Sequence, residues 1–148
     1  MASALLRRVA ATARVLRTAG SWRTSSVRHL PVCSVDTNVQ QSAVPKNFNK
    51  DLAFLIGTLL KKSPESIFMV LRTDVQMLRH GSEEPTAVVH LSAIGVFDEE
   101  RNATYAKVLL EFIVDRLKIP DTRVGLVFHD ITKTDAAHLL YHEMKASK

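Results

Sequence analysis

The sequence predicts a two-layer α/β fold of the α+β kind, a four-stranded mixed sheet built from a duplicated βαβ unit with two helices on one face. Two stretches carry apolar residues at the three- and four-residue spacing of amphipathic helices. Short apolar runs, bounded by turn-forming residues, flank each stretch as strands. This strand–helix–strand order occurs twice, and the repeat from Pro31 to Ala87 is 56 residues long.

The first unit begins with a short strand within 32–39, which leads into a polar loop. The helix follows over 48–61, because its apolar residues recur at helical spacing (Phe48, Leu52, Leu55, Ile56, Leu59 and Leu60). Lys61 and Lys62 suit the negative C-terminal end of a helix, and Pro64 stops it. A second strand is predicted at 67–71, and the polar stretch 73–85 is predicted to be a loop.

The second unit repeats this order with a strand at 87–93, a helix over 99–118 and a strand at 124–128. Asp98, Glu99 and Glu100 lie at the predicted N-terminus of the helix, where negative charge is favourable. Pro120 ends the helix. A βαβ connection joins parallel strands through a right-handed crossover, so each unit is expected to contribute one parallel pair.

The two helices cover only one face of the predicted sheet. The strands at 67–71, 88–91 and 124–128 are close to continuously apolar, which is typical of strands buried on both faces. The second face is therefore expected to meet another subunit, and the sequence predicts an oligomer.

Residues 1–30 differ in composition from the rest of the chain. They contain six of the 20 basic residues and no acidic residue, whereas 31–148 holds 14 basic and 15 acidic residues. An amphipathic, Arg-rich, Ser-containing and acid-free segment is typical of a mitochondrial transit peptide. The alternatives are a disordered basic arm, a stretch wrongly joined to the gene, and a secretory signal. A secretory signal requires an unbroken apolar run, which Arg residues interrupt here. The expected organisation is a leader, 1–30, followed by one domain, 31–148.

Composition excludes several classes of function. The excess positive charge belongs to the leader, so the domain itself is not expected to bind nucleic acid. Cys33 is the single cysteine, which excludes an intrachain disulfide framework and a Cys-rich zinc site. No apolar run is long enough for a membrane-spanning helix, and no motif indicates a cofactor or a metal.

Several segments together resemble the macrophage migration inhibitory factor group of the tautomerase superfamily, which includes D-dopachrome tautomerase. The matching segments are 31–39 (PVCSVDTNV), 44–45, Lys62 with Pro64, 84–85, 92–95 (SAIG), Asn102 with Tyr105 and Lys107, and 121–124. The resemblance extends over about 31–138. It implies the same duplicated βαβ unit and a homotrimer, which would cover the second sheet face.

The resemblance also implies keto–enol tautomerisation of phenylpyruvate-like or dopachrome-like compounds. The general base in this family is the secondary amine of an N-terminal proline, here Pro31. An amine beside an apolar wall and a cation favours its neutral form, which lowers its pKa toward the operating pH. Lys62 matches the position that binds the substrate carboxylate and the developing enolate. Ile94 matches the position whose backbone N–H faces the substrate.

The chain departs from the family pattern at Pro31 and in the pocket. Leu30 precedes Pro31, and an internal proline has no basic nitrogen, so activity requires removal of the leader. Arg28 lies at the position that mitochondrial processing favours for a cut after Leu30. Val127 stands where the family often has a polar amide and His138 where an aromatic residue often closes the pocket. We expect both to contact the substrate.

The sequence therefore predicts a tautomerase of small keto acids with Pro31 and Lys62 as catalytic residues. The alternative is a non-catalytic, cytokine-like trimer that acts by binding a protein receptor. The leader predicts a mitochondrial location. Without a genuine leader the location is cytoplasmic, with secretion without a signal peptide as a further option. His138 and His142 form an i,i+4 pair that would suit a metal only if the C-terminal segment were helical, and a polar tail is the expected alternative.

Overall fold

The computed structural model describes residues 31–147, so the predicted leader lies outside the described residues. The elements follow the predicted order and add a third helix at the C-terminus. Short 3₁₀ turns lie at Gln41–Ala43, Pro64–Ser66 and Asp121–Arg123. The strands and helices are β1 (Val32–Thr37), α1 (Phe48–Leu60), β2 (Phe68–Arg72), β3 (Ala87–Ala93), α2 (Glu99–Leu117), β4 (Val124–Asp130) and α3 (Ala137–Ala146).

The four strands form one mixed sheet in the order β2-β1-β3-β4. Strand β1 pairs with β2 in parallel, and β3 pairs with β4 in parallel. The two units join through the antiparallel pair β1–β3. The prediction of a duplicated βαβ unit with two parallel pairs is confirmed.

The duplication extends to the way in which the two long helices end. The residue after α1, Lys61, and the residue after α2, Lys118, both adopt left-handed backbone conformations, with φ of 55° and 56°. A residue in this conformation is a common helix terminator. In both units a 3₁₀ turn then leads into the second strand. In both units, therefore, a left-handed residue and a 3₁₀ turn redirect the chain from the helix into the next strand.

The main core lies between α1, α2 and one face of the sheet. Inward-facing strand residues such as Cys33 and Leu91 are fully buried, because side chains alternate between the two faces of a strand. Phe48 of α1 and Phe112 of α2 meet over this face with ring centroids 5.7 Å apart. The predicted placement of both helices on one face is confirmed by this shared cluster.

The second face of the sheet, called here the open face, is mixed in character. Paired residues share a face, so the strand register defines three rows across it: Phe68–Val32–Ser92–His129, Val70–Ser34–His90–Val127, and Arg72–Asp36–Val88–Gly125. The expectation of an uninterrupted apolar face is wrong. Polar side chains occur on all four strands of this face, at Arg72, Ser34, Asp36, His90, Ser92 and His129, and the apolar part consists of Phe68, Val70, Val127, Val32 and Val88.

The C-terminal segment is a helix, which the sequence prediction of a polar tail missed. Ala136 and Leu139 are buried but do not belong to the main core. Ala136 and His138 instead line a depression together with residues of β1 and β2, so the segment lies against one end of the open face. Within residues 31–147, no helix combines the length and the apolar character needed to cross a bilayer.

Candidate functional site

Pro31 lies directly ahead of β1 and is fully buried. Its carbonyl oxygen accepts a 2.9 Å hydrogen bond from the backbone N–H of Phe68, at the start of β2. The parallel pairing of β1 with β2 therefore fixes the residue that the sequence identifies as the general base.

Lys62 follows the end of α1 and is half-buried. Its backbone N–H donates a 2.8 Å hydrogen bond to the carbonyl oxygen of Gly57. A Cβ atom at Gly57 would lie 2.7 Å from the carbonyl oxygen of Lys62, which is closer than real contacts allow. The chain can therefore turn back over α1 only because residue 57 is a glycine, and this turn positions Lys62.

Ile94 follows β3 at the end of the sheet where β4 also finishes. The next residue, Gly95, has a positive φ of 65° and donates its N–H to the Asp130 carboxylate at 3.2 Å. The N–H of Ile131 donates to the carbonyl oxygen of Ala93 at 3.0 Å, which extends the ladder beyond the last paired residues. These bonds fix the backbone around Ile94.

A depression of about 370 Å³ lies beside Pro31, at the junction of β1, β2 and the C-terminal segment. It adjoins Pro31 because Val32 follows Pro31 in the chain and the N–H of Phe68 binds the Pro31 carbonyl. The wall is mainly apolar. Its lining residues are Val32, Phe68, Val70, Ile131, Asp135, Ala136 and His138.

The structure brings only some of the sequence-predicted site residues to this depression. His138 lines it, whereas Pro31 is not a lining residue and is linked to it only through its neighbour Val32 and its hydrogen bond with Phe68. Lys62 and Ile94 do not line it within a single chain. Val127 lies on β4, two strands away from β1, and is 42% exposed on the open face. Strands are about 4.8 Å apart, so Val127 is roughly 10 Å from β1 across the sheet.

Asp135 is a lining residue that the sequence analysis missed. The backbone N–H and the hydroxyl of Thr132 both donate to its carboxylate, each at 2.7 Å. These bonds hold the pKa of the Asp135 carboxyl below its usual range, so it is ionised at neutral pH. The depression therefore carries a negative charge at its rim. The Thr132–Asp135 spacing is a turn signal, but only the folded C-terminal segment places it beside Pro31.

Cys33 lies in the core, behind β1, and is not part of the depression. Burial raises the pKa of its thiol to about 12, which leaves it un-ionised and unreactive at neutral pH. The interpretation of Cys33 as a small buried apolar residue agrees with this placement.

Comparison with known proteins identifies relatives over most of the described fold. The family profile described as macrophage migration inhibitory factor (MIF) matches residues 30–139. The macrophage migration inhibitory factor of Xenopus tropicalis is 32% identical over 102 residues, which cover 69% of this chain and 89% of that protein. D-dopachrome decarboxylase-B of Xenopus laevis is 31% identical over 100 residues, which cover 67% of this chain and 85% of that protein.

The fold agrees with solved structures of the same group. The macrophage migration inhibitory factor of Trichinella spiralis superposes with a TM-score of 0.65 and 25% identity, over 68% of this chain and 89% of that one. The factor from the snail Oncomelania hupensis gives a TM-score of 0.66 at 23% identity, over 68% and 86% of the two chains.

Proposed function

The chain belongs to the macrophage migration inhibitory factor family, and on this basis we propose that it is a keto–enol tautomerase of phenylpyruvate-like or dopachrome-like compounds. The observation that carries the proposal is the position of Pro31. The family match begins at residue 30, directly before Pro31. In the resemblance on which the proposal rests, Leu30 stands where family members carry the initiator methionine that is removed.

Removal of residues 1–30 would convert the amide nitrogen of Pro31 into a secondary amine. Pro31 is buried, and burial disfavours a charged amine, which lowers the pKa of the freed nitrogen. The neutral amine takes the proton from the substrate carbon beside the carbonyl, and the electron pair of that C–H bond moves to the carbonyl oxygen. The protonated amine then returns this proton to the enolate oxygen, which gives the enol and the neutral amine, so no atom or electron is gained or lost.

Lys62 is proposed to stabilise the negative charge on the substrate oxygen as the proton leaves. Ile94 is proposed to present its backbone N–H to the substrate, and His138 to close the apolar depression. Val127 cannot reach Pro31 within the same chain, because β4 lies two strands from β1. In a homotrimer, the Val127 that contacts the substrate would come from a neighbouring subunit.

Mitochondrial import followed by cleavage after Leu30 is the proposed route to the active form. The leader supplies six Arg and no acid, and Arg28 lies two residues before Leu30. A leader fused to a fluorescent reporter should then enter mitochondria. A diffuse cytosolic signal would favour the cytoplasmic location and remove this route.

The decisive experiment compares phenylpyruvate tautomerisation by the full chain with that by a chain starting at Pro31. The shorter chain keeps the whole main core, which lies within 31–147. General-base catalysis typically contributes about 10²–10⁴-fold, so the full chain should be slower by that order. Equal rates would show that another group moves the proton and would overturn the proposed role of Pro31.

Lys62→Ala in the shorter chain should lower the rate by about one to three orders of magnitude, since the base remains while its anion partner is lost. Lys50→Ala is the matched control, because Lys50 is an exposed lysine on α1. An equal loss in both variants would point to a general effect of charge rather than to a role of Lys62 at the reacting centre.

A second candidate function, a cytokine-like trimer that binds a protein receptor, is favoured by one observation. In the full chain Leu30 acylates the nitrogen of Pro31, and such a nitrogen cannot act as a base. Sequencing the N-terminus of the natural protein separates the two functions. A chain that starts at Pro31 supports the enzyme, whereas a retained leader supports the binding protein.

A further inference from the structure

Four polar residues form a diagonal across the open face, one from each strand: Arg72, Asp36, His90 and His129. Arg72 binds Asp36 on the neighbouring strand through two nitrogens, with the Nη2–Oδ2 distance at 3.0 Å. Asp36 is paired with Val88, so it lies diagonal to His90, and the charge of His90 helps to lower the pKa of Asp36. We call these four residues the polar diagonal.

At the β3–β4 end of the polar diagonal the two imidazole rings meet nitrogen to nitrogen. His90 Nδ1 and His129 Nε2 are 2.8 Å apart. The ring centroids are 5.1 Å apart and the ring planes differ by 21°. The distance between the centroids equals the distance between the two nitrogens plus the radius of each ring. The nitrogens therefore lie on the line that joins the centroids, and the rings meet edge to edge rather than face to face. One proton between the nitrogens accounts for the contact.

We propose that His90 and His129 form a binding site for a divalent transition-metal ion, which replaces the shared proton. Imidazole nitrogen suits Zn²⁺, Cu²⁺ and Ni²⁺, whereas Mg²⁺ and Ca²⁺ require oxygen ligands. With zinc–nitrogen bonds of about 2.0–2.1 Å in tetrahedral geometry, the two nitrogens would lie about 3.3 Å apart. The rings need to separate by about 0.5 Å from their present contact, and each must also tilt by about 35° to point its nitrogen at the ion.

Water molecules would occupy the coordination positions of the ion that the two histidines leave free. Among residues 31–147 no group of three or more His, Cys, Asp or Glu side chains is placed to hold a metal. Cys33 projects into the core on the other side of β1 and cannot contribute. In the single chain His129 is exposed and His90 is half-buried, so an ion reaches both nitrogens before any partner subunit covers the open face.

Asp36 is expected to support the site from outside the coordination sphere. Its hydrogen bond to Arg72 keeps the pKa of the Asp36 carboxyl below its usual range, with a smaller contribution from His90. The carboxylate is therefore charged at every pH at which imidazole is neutral enough to bind metal. Its negative charge lies diagonal to His90 and favours a cation there. The site lies away from the depression beside Pro31, so it does not rest on the proposed tautomerase activity.

The test is a calorimetric titration of the full chain with ZnCl₂ and, separately, CuCl₂ at about pH 7.5. We expect one ion per chain at this pair, with tighter binding of Cu²⁺ than of Zn²⁺. Binding should weaken at about pH 5, because protons compete with a metal ion for imidazole nitrogen. No uptake at about pH 7.5, or uptake that persists unchanged at about pH 5, would overturn the proposal.

His90→Gln and His129→Gln should each weaken binding at least about tenfold, because each removes one of two protein ligands. The matched control is the double variant His138→Gln/His142→Gln. These two histidines lie one turn apart on α3, so helical spacing brings their imidazole rings close together. They are a second candidate pair for a metal ion. Thermal unfolding followed by circular dichroism checks that each variant is folded.

The outcomes separate the two histidine pairs. Loss of binding in His90→Gln and His129→Gln, with binding retained in the α3 double variant, supports the proposal. Loss in the α3 double variant alone would assign the ion to α3 and overturn the proposal for the polar diagonal. Binding that survives both changes would also overturn it.

Discussion

A single buried guanidinium fixes the longest loop of the described fold. Arg123 is 8% exposed and donates hydrogen bonds to four backbone carbonyl oxygens, those of Arg79, Ser82, Glu84 and Pro85, at 2.7–3.2 Å. A planar group with five donors can satisfy several carbonyls at once, which a lysine ammonium cannot match. Arg123 therefore holds the tight turn between Arg79 and Ser82 against the start of β4.

Arg123→Lys should lower the free energy of unfolding by about 2–4 kcal/mol, because an ammonium group cannot donate to all four part-buried carbonyls at once. The measurement is urea denaturation followed by circular dichroism. Arg79→Lys is the matched control, since this arginine side chain is exposed on the same loop. Similar losses in both variants would contradict a specific role for the Arg123 network.

Asp135 is predicted to influence which substrates the depression accepts, if the proposed activity holds. Its ionised carboxylate lines the depression and repels a substrate carboxylate. Asp135→Asn in the chain starting at Pro31 should lower KM for phenylpyruvate about two- to fivefold, the size expected for one exposed charge. KM for the neutral methyl ester should not change. Asp121→Asn, at an exposed acid away from the depression, is the control, and an equal shift there would refute this role.

At the scale of the element, Asp98 defines the start of α2. Its carboxylate accepts a 2.7 Å hydrogen bond from the backbone N–H of Arg101, as an N-cap residue does. This bond, together with the Arg101 side chain, lowers the pKa of Asp98. A carboxyl whose folded-state pKa is depressed stabilises the fold above its unfolded pKa, about 3.9, and this contribution disappears as the pH falls through the folded value.

Asp98→Ala should therefore lower the melting temperature at neutral pH, and this loss should shrink as the pH falls toward about 2, because protonation removes the contribution of the charge. Thermal unfolding at both pH values measures this difference. Asp98→Asn keeps a capping oxygen without the charge and should fall between the parent and Asp98→Ala at neutral pH. A loss of the same size at both pH values would mean that the charge of Asp98 does not contribute.

At the scale of the whole molecule, the open face is the largest surface that the described chain leaves without a second layer. Phe68 is 58% exposed and Val70 38% exposed at its β2 end, and α3 covers only part of this end. Apolar side chains on an edge strand favour association with another chain. The polar diagonal crosses the same face, so a partner subunit would meet a mixed surface rather than an apolar one.

We expect sedimentation of the unmodified chain to give three subunits. Phe68→Glu should shift it toward the monomer, because a charge would have to be buried in the contact. Ala103→Glu introduces the same charge at an exposed position on α2, in the other layer, and should leave the assembly intact. A monomer before any substitution would refute the proposed trimer, whereas a trimer that survives Phe68→Glu would place the contact elsewhere.

The sequence by itself determined the elements, their order and the parallel pairing within each unit. The signals used were the helical spacing of apolar residues, the prolines Pro64 and Pro120, and the acidic start of α2. Each depends on only a few neighbouring residues, so it can be recognised in the sequence alone. Strand β3 was predicted at its observed bounds, and β1, β2 and β4 differ from prediction by a few residues at their ends. The helix α3 was missed because its inner side packs on the open face rather than in the main core.

Only the tertiary structure decided which side chains meet. His90 and His129 are 39 positions apart, and Arg123 binds carbonyls 38–44 positions away, so neither contact leaves a local pattern. Both depend on strand register, in which a shift of one residue would turn every side chain to the other face. The order of the strands in the sheet also keeps some of the predicted site residues apart. The fold places His138 in a depression beside Val32, the neighbour of Pro31, and it keeps Val127 two strands away from β1.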